Sequence, residues 1–245
     1  MIKVLLYLFL IGHILGDYYF KSFEFSKGNN ELFKNLVKDS IKYLFCLIGT
    51  LLPIINKSIL IYIFVIAIVN FIINYYQYFL HFKIFKNVKE EYTYIFKQII
   101  HIVVIFVVVD IITFQQSIEY ISIINQYINK YSIDLLNLIS WLLIILIIIK
   151  PISTTIKIFL DKYKPSMKSE ISGVNNAGFL IGVMERIFIL LMLFIKRYST
   201  IGLVLTAKSI VRYNKIIEEP EFSEYYLLGT LMSTILVIIT FFLVF

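Results

Sequence analysis

This chain is short of charge. Of its 245 residues, 16% are Asp, Glu, Lys or Arg, while 60% are hydrophobic. Soluble domains run to about one quarter charged. Mean hydropathy is +0.86, which excludes an ordinary water-soluble fold. Cysteine is nearly absent: Cys46 stands alone, so an internal disulfide and a multi-cysteine zinc site are both excluded. There is no glycine-rich phosphate loop, no repeat and no stretch that reads as a soluble domain. No small-x-small cleavage site follows the first apolar stretch, and Tyr18-Tyr19-Phe20-Lys21 is a poor substitute. The N-terminal segment is therefore expected to be retained as a membrane span.

What the chain does have is a series of apolar runs approaching the length a bilayer requires. They predict an all-α, polytopic integral membrane helical bundle, a single domain of seven or eight segments. The segments lie near 3–20, 41–55, 58–80, 94–114, 135–158, 178–195, 200–213 and 225–245. Residues Glu31 to Lys42 carry apolar side chains at helical spacing and are expected to lie along the membrane surface. Pro53 breaks the second segment, and Pro151 is expected to kink the fifth.

The formal charge of +7 is a matter of topology and does not point to nucleic acid. Basic loops at 21–42, 82–97, 160–176 and 212–224 fall on one side, and lysine-poor loops fall on the other. Basic loops collect in the cytoplasm, so eight crossings place both termini outside. Segment 200–213 is the short one. If it is re-entrant, the C-terminus lies in the cytoplasm.

Ionisable residues at membrane depth are costly and usually mark function. His13 and Asp17 lie one helical turn apart in an apolar segment, on one face. In the third segment Asn70, Asn74, Gln77 and His81 form a polar stripe at helical spacing, and the fourth carries Gln98 and His101. Imidazole and carboxylate are ligands for divalent metals, which makes His13, Asp17 and His101 the candidate metal set. A divalent metal is the one cofactor these residues point to. Polar stripes also serve as interhelical glue. Further along, Glu185 and Arg186 sit inside an apolar run, and Lys208 and Arg212 share a face of the next. These four predict either a buried ion pair or an anion or lipid-headgroup site.

Four motifs carry a resemblance. They read His13-Ile-Leu-Gly-Asp17-Tyr18, Gly178-Phe-Leu-Ile181-Gly182-Val-Met184-Glu185-Arg186, Ala207-Lys208-Ser209-Ile210-Val211-Arg212, and Glu224-Tyr225-Tyr226-Leu227-Leu228-Gly229-Thr230-Leu231-Met232-Ser233. In this order they resemble an uncharacterised bacterial family of polytopic membrane proteins, a domain of unknown function. Relatives carry His-x-x-x-Asp where this chain has Asn70 and Asn74, and Asp-Gln-x-x-His where it has Lys97, Gln98 and His101. A site built from those residues would here lack a histidine and two carboxylates. The resemblance also implies a cytoplasmic partner, since such proteins are encoded beside a SatD-type protein.

The expectation is a bacterial inner-membrane component without enzymatic activity, embedded in the lipid bilayer. It would anchor or regulate a cytoplasmic partner through its basic loops and the acidic connection at 218–224. A metal-dependent intramembrane hydrolase, intact or degenerate, is the alternative, with a small-solute or ion transporter third. An enzyme needs His13, Asp17 and His101 to converge on one ion. A transporter needs the stripe to line an open cavity.

Overall fold

A computed structural model describes residues 1–21, 29–79, 90–115, 118–165 and 177–245. No strand occurs among them, and helices account for nearly all of the described chain. They group into two compact units, Met1–Leu143 and Ile144–Phe245.

The first unit is built on α1 (Ile2–Ile14), which runs into a wider π-helical turn at Leu15–Tyr19. Around it lie α2 (Asn29–Leu51), α3 (Lys57–Phe79) and α4 (Glu90–Gln115). A short α5 (Ser122–Tyr131) and the start of α6 (Leu135–Ile149) complete the unit. Burial ranks the helices. In the apolar 18-residue core of each stretch, 56% is buried inside the protein for Ile2–Tyr19, against 22% for Lys57–Gln77 and 33% for Glu91–Gln115. The first helix is thus the inner one, and α3 and α4 turn apolar faces such as Ile61, Ile68, Val103 and Val107 outward. A helix that is apolar all round belongs in such an interior.

Close packing of α1 against α2 comes from two glycines one turn apart. A Cβ at Gly12 would stand 2.7 Å from Thr50 Oγ1 and 2.8 Å from Leu47 Cδ2. At Gly16 it would stand 2.5 Å from Tyr43 Cδ2 and 3.1 Å from the Tyr43 Cα. Gly-x-x-x-Gly lets helix backbones approach where larger side chains would hold them apart. On α2 the buried face is Leu36, Tyr43, Leu47 and Leu51, at helical spacing.

The second unit holds the end of α6, then α7 (Pro151–Leu160), α8 (Ala177–Phe194), α9 (Tyr198–Val211), α10 (Tyr213–Glu218) and α11 (Pro220–Val244). The α6–α7 break falls at Lys150, with Pro151 as the first residue of α7. This is where a proline is tolerated, because the first helical N–H has no partner to lose. Helix α8 ends in a Schellman closure: Arg197 N–H donates to Met192 O at 2.8 Å and Lys196 N–H to Leu193 O at 3.1 Å. Lys196 adopts the left-handed φ of 58° that glycine usually supplies at this position.

Among the described residues, five stretches are long and apolar enough to cross a membrane: Ile2–Tyr19, Lys57–Gln77, Glu91–Gln115, Leu135–Tyr163 and Pro220–Val244. The expected surface helix from Glu31 and the segment starting at 41 are one continuous helix, α2. Nothing between Asn29 and Leu51 breaks a helix except the tolerated Gly49, so the charged and apolar halves join. The 200–213 segment appears as α9, 14 residues long. At 1.5 Å per residue that is about 21 Å, short of the roughly 30 Å hydrocarbon layer.

Gly16→Ala should destabilise the protein by about 1–3 kcal/mol, as overpacking does. Gly49→Ala, with nothing within 4 Å of its added Cβ, should be neutral or stabilising by about 0.5–1 kcal/mol. Unfolding of both variants in detergent, followed by circular dichroism, checks the pair. Equal stabilities would mean that the α1–α2 approach is not tight.

Candidate functional site

The π-helical turn carries Asp17 into the space between α1 and α4. Lys97 Nζ of α4 lies 2.5 Å from Asp17 Oδ1 and Lys21 Nζ lies 3.5 Å from the same atom. Gln98 Nε2 donates to Asp17 Oδ2 at 3.1 Å. Both carboxylate oxygens are therefore engaged. The side chains of Asp17 and Lys97 are 5% and 4% exposed, so this is an ion pair out of water. Such a pair is tolerated only when its remaining hydrogen-bonding groups are also satisfied.

The carboxylate sets the orientation of everything beside it. An ionised carboxylate only accepts, so Gln98 must present its NH₂ to Asp17 and its Oε1 to the other side. That oxygen lies 3.3 Å from His13 Nε2, which must then carry the proton. His13 Nδ1 is left as the acceptor, and Tyr43 O–H donates to it at 3.1 Å. One chain of donors thus runs Tyr43, His13, Gln98, Asp17, and it joins α2 to α4 through α1. Both ring nitrogens of His13 are spoken for.

His101 follows Lys97 by one turn, and its ring centroid lies 4.8 Å from that of His13. Its Nε2 is buried without a hydrogen-bond partner. Asn74 accepts from Lys21 at 3.3 Å and donates to Asn70 Oδ1 at 2.7 Å. Gln77 donates to the Thr93 carbonyl at 3.3 Å. These three members of the expected stripe bond to side chains or backbone of the bundle, and His81 lies outside the described residues. The cavity beside Asp17, lined also by Tyr43, Asn70 and Asn74, measures about 10 Å³. That is room for one water at most. Among the described residues, no three His, Cys, Asp or Glu side chains are placed to hold one metal ion.

Lys97 falls where the basic loop 82–97 and the predicted segment 94–114 overlap. In the structure it sits within α4, 4% exposed, as the counter-ion of Asp17. The available signal was its spacing, one turn before His101 and next to Gln98. Tyr43 gave no signal, being one of 18 tyrosines. The signal for Gly12 and Gly16 is their Gly-x-x-x-Gly spacing.

In the second unit the four predicted charges part company. Lys208 Nζ lies 2.6 Å from Glu185 Oε2 and 5.4 Å from the centroid of the Tyr226 ring. Arg212 lies over Phe222 at 5.7 Å. Arg186 turns away from all of them: Nε donates to the Ile148 carbonyl at 3.0 Å and Nη2 to Ser153 Oγ at 2.5 Å. Pro151 interrupts the helical ladder around Ile148, and a side chain from a neighbouring helix satisfies a backbone group beside the break.

Ionisable side chains buried in an apolar helical bundle, with five stretches among the described residues long and apolar enough to cross a bilayer, are consistent with a multi-helix membrane protein. The family model described as "Protein of unknown function (DUF3307)" matches residues 5–129, just over half of the chain, and the chain belongs to that family. The match takes in the whole Asp17 cluster and stops short of the three C-terminal motifs. No curated protein and no solved structure matches.

Lys97→Met should cost about 3–5 kcal/mol, because it leaves Asp17 buried without its nearest counter-ion. Adding Asp17→Asn should recover most of that loss. A double-mutant cycle on unfolding in detergent checks this. Additive losses would show that the two residues do not interact.

Proposed function

We propose that this chain is a multi-pass component of a bacterial inner membrane without catalytic activity. It anchors or regulates a cytoplasmic protein, and the Asp17 cluster locks α1 against α2, α3 and α4. The observation that carries this reading is closure. Both oxygens of Asp17 and both nitrogens of His13 are bonded within the protein, and the adjoining cavity of about 10 Å³ admits no substrate. A buried polar network engaged in this way at Asp17 and His13 rigidifies and specifies a packing, while His101 Nε2 beside it has no partner. In the proposed topology the basic loops face the cytoplasm. The 23-residue α2 and the 18-residue α8 are taken as further crossings beside the five long stretches, giving seven or, with α9, eight.

One observation favours the second reading, a metal-dependent hydrolase on His13, Asp17 and His101: the orphaned Nε2 of His101 beside the His13 ring. Elemental analysis of the purified protein separates the two. The expected result is no stoichiometric zinc, manganese or iron, with a His13→Ala, Asp17→Ala variant that is only less stable. A stoichiometric metal that the variant loses would overturn the non-enzymatic reading. Lys34 and Lys38 lie exposed on α2. Crosslinking in cells should capture one cytoplasmic protein on the native chain and lose it on Lys34→Glu, Lys38→Glu. Failure to capture any would refute the anchoring role.

A further inference from the structure

We infer that the cavity bounded by α7, α8 and α11 binds a phosphate group, carried by an anionic phospholipid headgroup or by free phosphate. It measures about 340 Å³, within the range of small-ligand sites. Its lining includes Arg186, Lys157 and Lys164 against one acid, Asp161, together with Ser153 and Tyr225. Three cations against one anion leave a surplus of two positive charges.

The cavity exists because two side chains are missing. Gly178 and Gly182, one turn apart on α8, both line it. A Cβ at Gly178 would meet nothing within 4 Å, and one at Gly182 would meet only Arg186 Nη1, at 3.4 Å. Arg186 is 4% exposed, and its bonds to Ile148 and Ser153 hold the guanidinium in a fixed plane. Those bonds take Nε and Nη2, and the donors of Nη1 are left on the glycine side. A guanidinium so held offers planar, charge-assisted donors matched to phosphate oxygens. Lys157 and Lys164 stand exposed at the rim, as point charges that draw an anion in. Lys164 also borders a neighbouring hollow of about 230 Å³ that holds Glu221 and Glu224. The basic side of the site is therefore the Arg186 and Lys157 side. Lys157 and Lys164 lie next to the start of the basic loop that the proposed topology puts on the cytoplasmic side, where anionic lipids attract lysines.

The site differs from the predicted grouping of Arg186 with Lys208 and Arg212, because Glu185 and Phe222 occupy those two. It is independent of the anchoring role.

The test uses the full chain in phosphatidylcholine nanodiscs with and without phosphatidylglycerol, with bound lipid read by native mass spectrometry. In a second arm, inorganic phosphate is titrated in phosphatidylcholine discs and thermal stability is followed. Lys157→Gln, Lys164→Gln removes two rim charges without touching packed side chains, and Lys34→Gln, Lys38→Gln controls for general surface charge. The expected result is retained phosphatidylglycerol, weakened about tenfold by the first pair and unchanged by the control. Lysine-dependent stabilisation by phosphate without retained lipid would support the same site with free phosphate as its ligand. If neither probe distinguishes the native chain from the Lys157, Lys164 variant, or if the control weakens binding equally, the proposal is overturned.

Discussion

The first unit depends on the pairing of Asp17 with Lys97. Two charges removed from water lose several kcal/mol of hydration each, and attraction in a low-dielectric interior offsets this only at close range. The 2.5 Å contact meets that demand, and it dictates the rest. Asp17 must lie on an inner helix, so α1 is the most buried of the long apolar helices. The remaining carboxylate oxygen needs a donor, so Gln98 faces it. The tautomer of His13 and the direction of the Tyr43 hydroxyl follow in turn. Tyr43 reaches His13 because Gly12 and Gly16 let α2 approach, and the π-helical turn offsets Asp17 from the regular helical register.

The second unit meets the same constraint by a different route. Arg186 has no carboxylate within bonding distance among the described residues, since its neighbour Glu185 bonds to Lys208. Residues adjacent in a helix point apart, so the two charges require separate partners. Arg186 takes backbone and hydroxyl acceptors at the Pro151 break instead. A proline that weakens one helix thus provides the acceptors that let another helix bury a guanidinium. Small residues recur in both units, closing a gap in α1 and leaving one open in α8.

Much of this was legible beforehand in kind but not in pairing. His13, Asp17, Gln98 and His101 stood out as polar residues in apolar runs, and they do cluster. Lys97 was hidden because a lysine at the edge of a basic loop looks like a solvated charge, and only packing shows which way it turns. Helix α2 was divided in two because its composition changes midway. Hydrogen bonding along the backbone does not register composition, so the helix runs through. The 200–213 segment carried its own warning in its length, and α9 has that length.

The sequence by itself determined the class of structure. Few charges and long apolar runs favour helices, which satisfy their own backbone hydrogen bonds and are fit to cross a bilayer. It also marked the polar groups that lie inside apolar runs, such as His13, Asp17 and His101, because hydropathy is a local property. Tertiary structure alone decided the partners: Lys97 for Asp17, Lys208 for Glu185, and a carbonyl and a hydroxyl for Arg186. It also decided that one glycine pair seals a contact while the other opens a cavity. Partner choice depends on distances between residues 23 to 80 apart in the chain. No local pattern encodes them, and in a low dielectric a few ångströms separate a satisfied charge from an intolerable one.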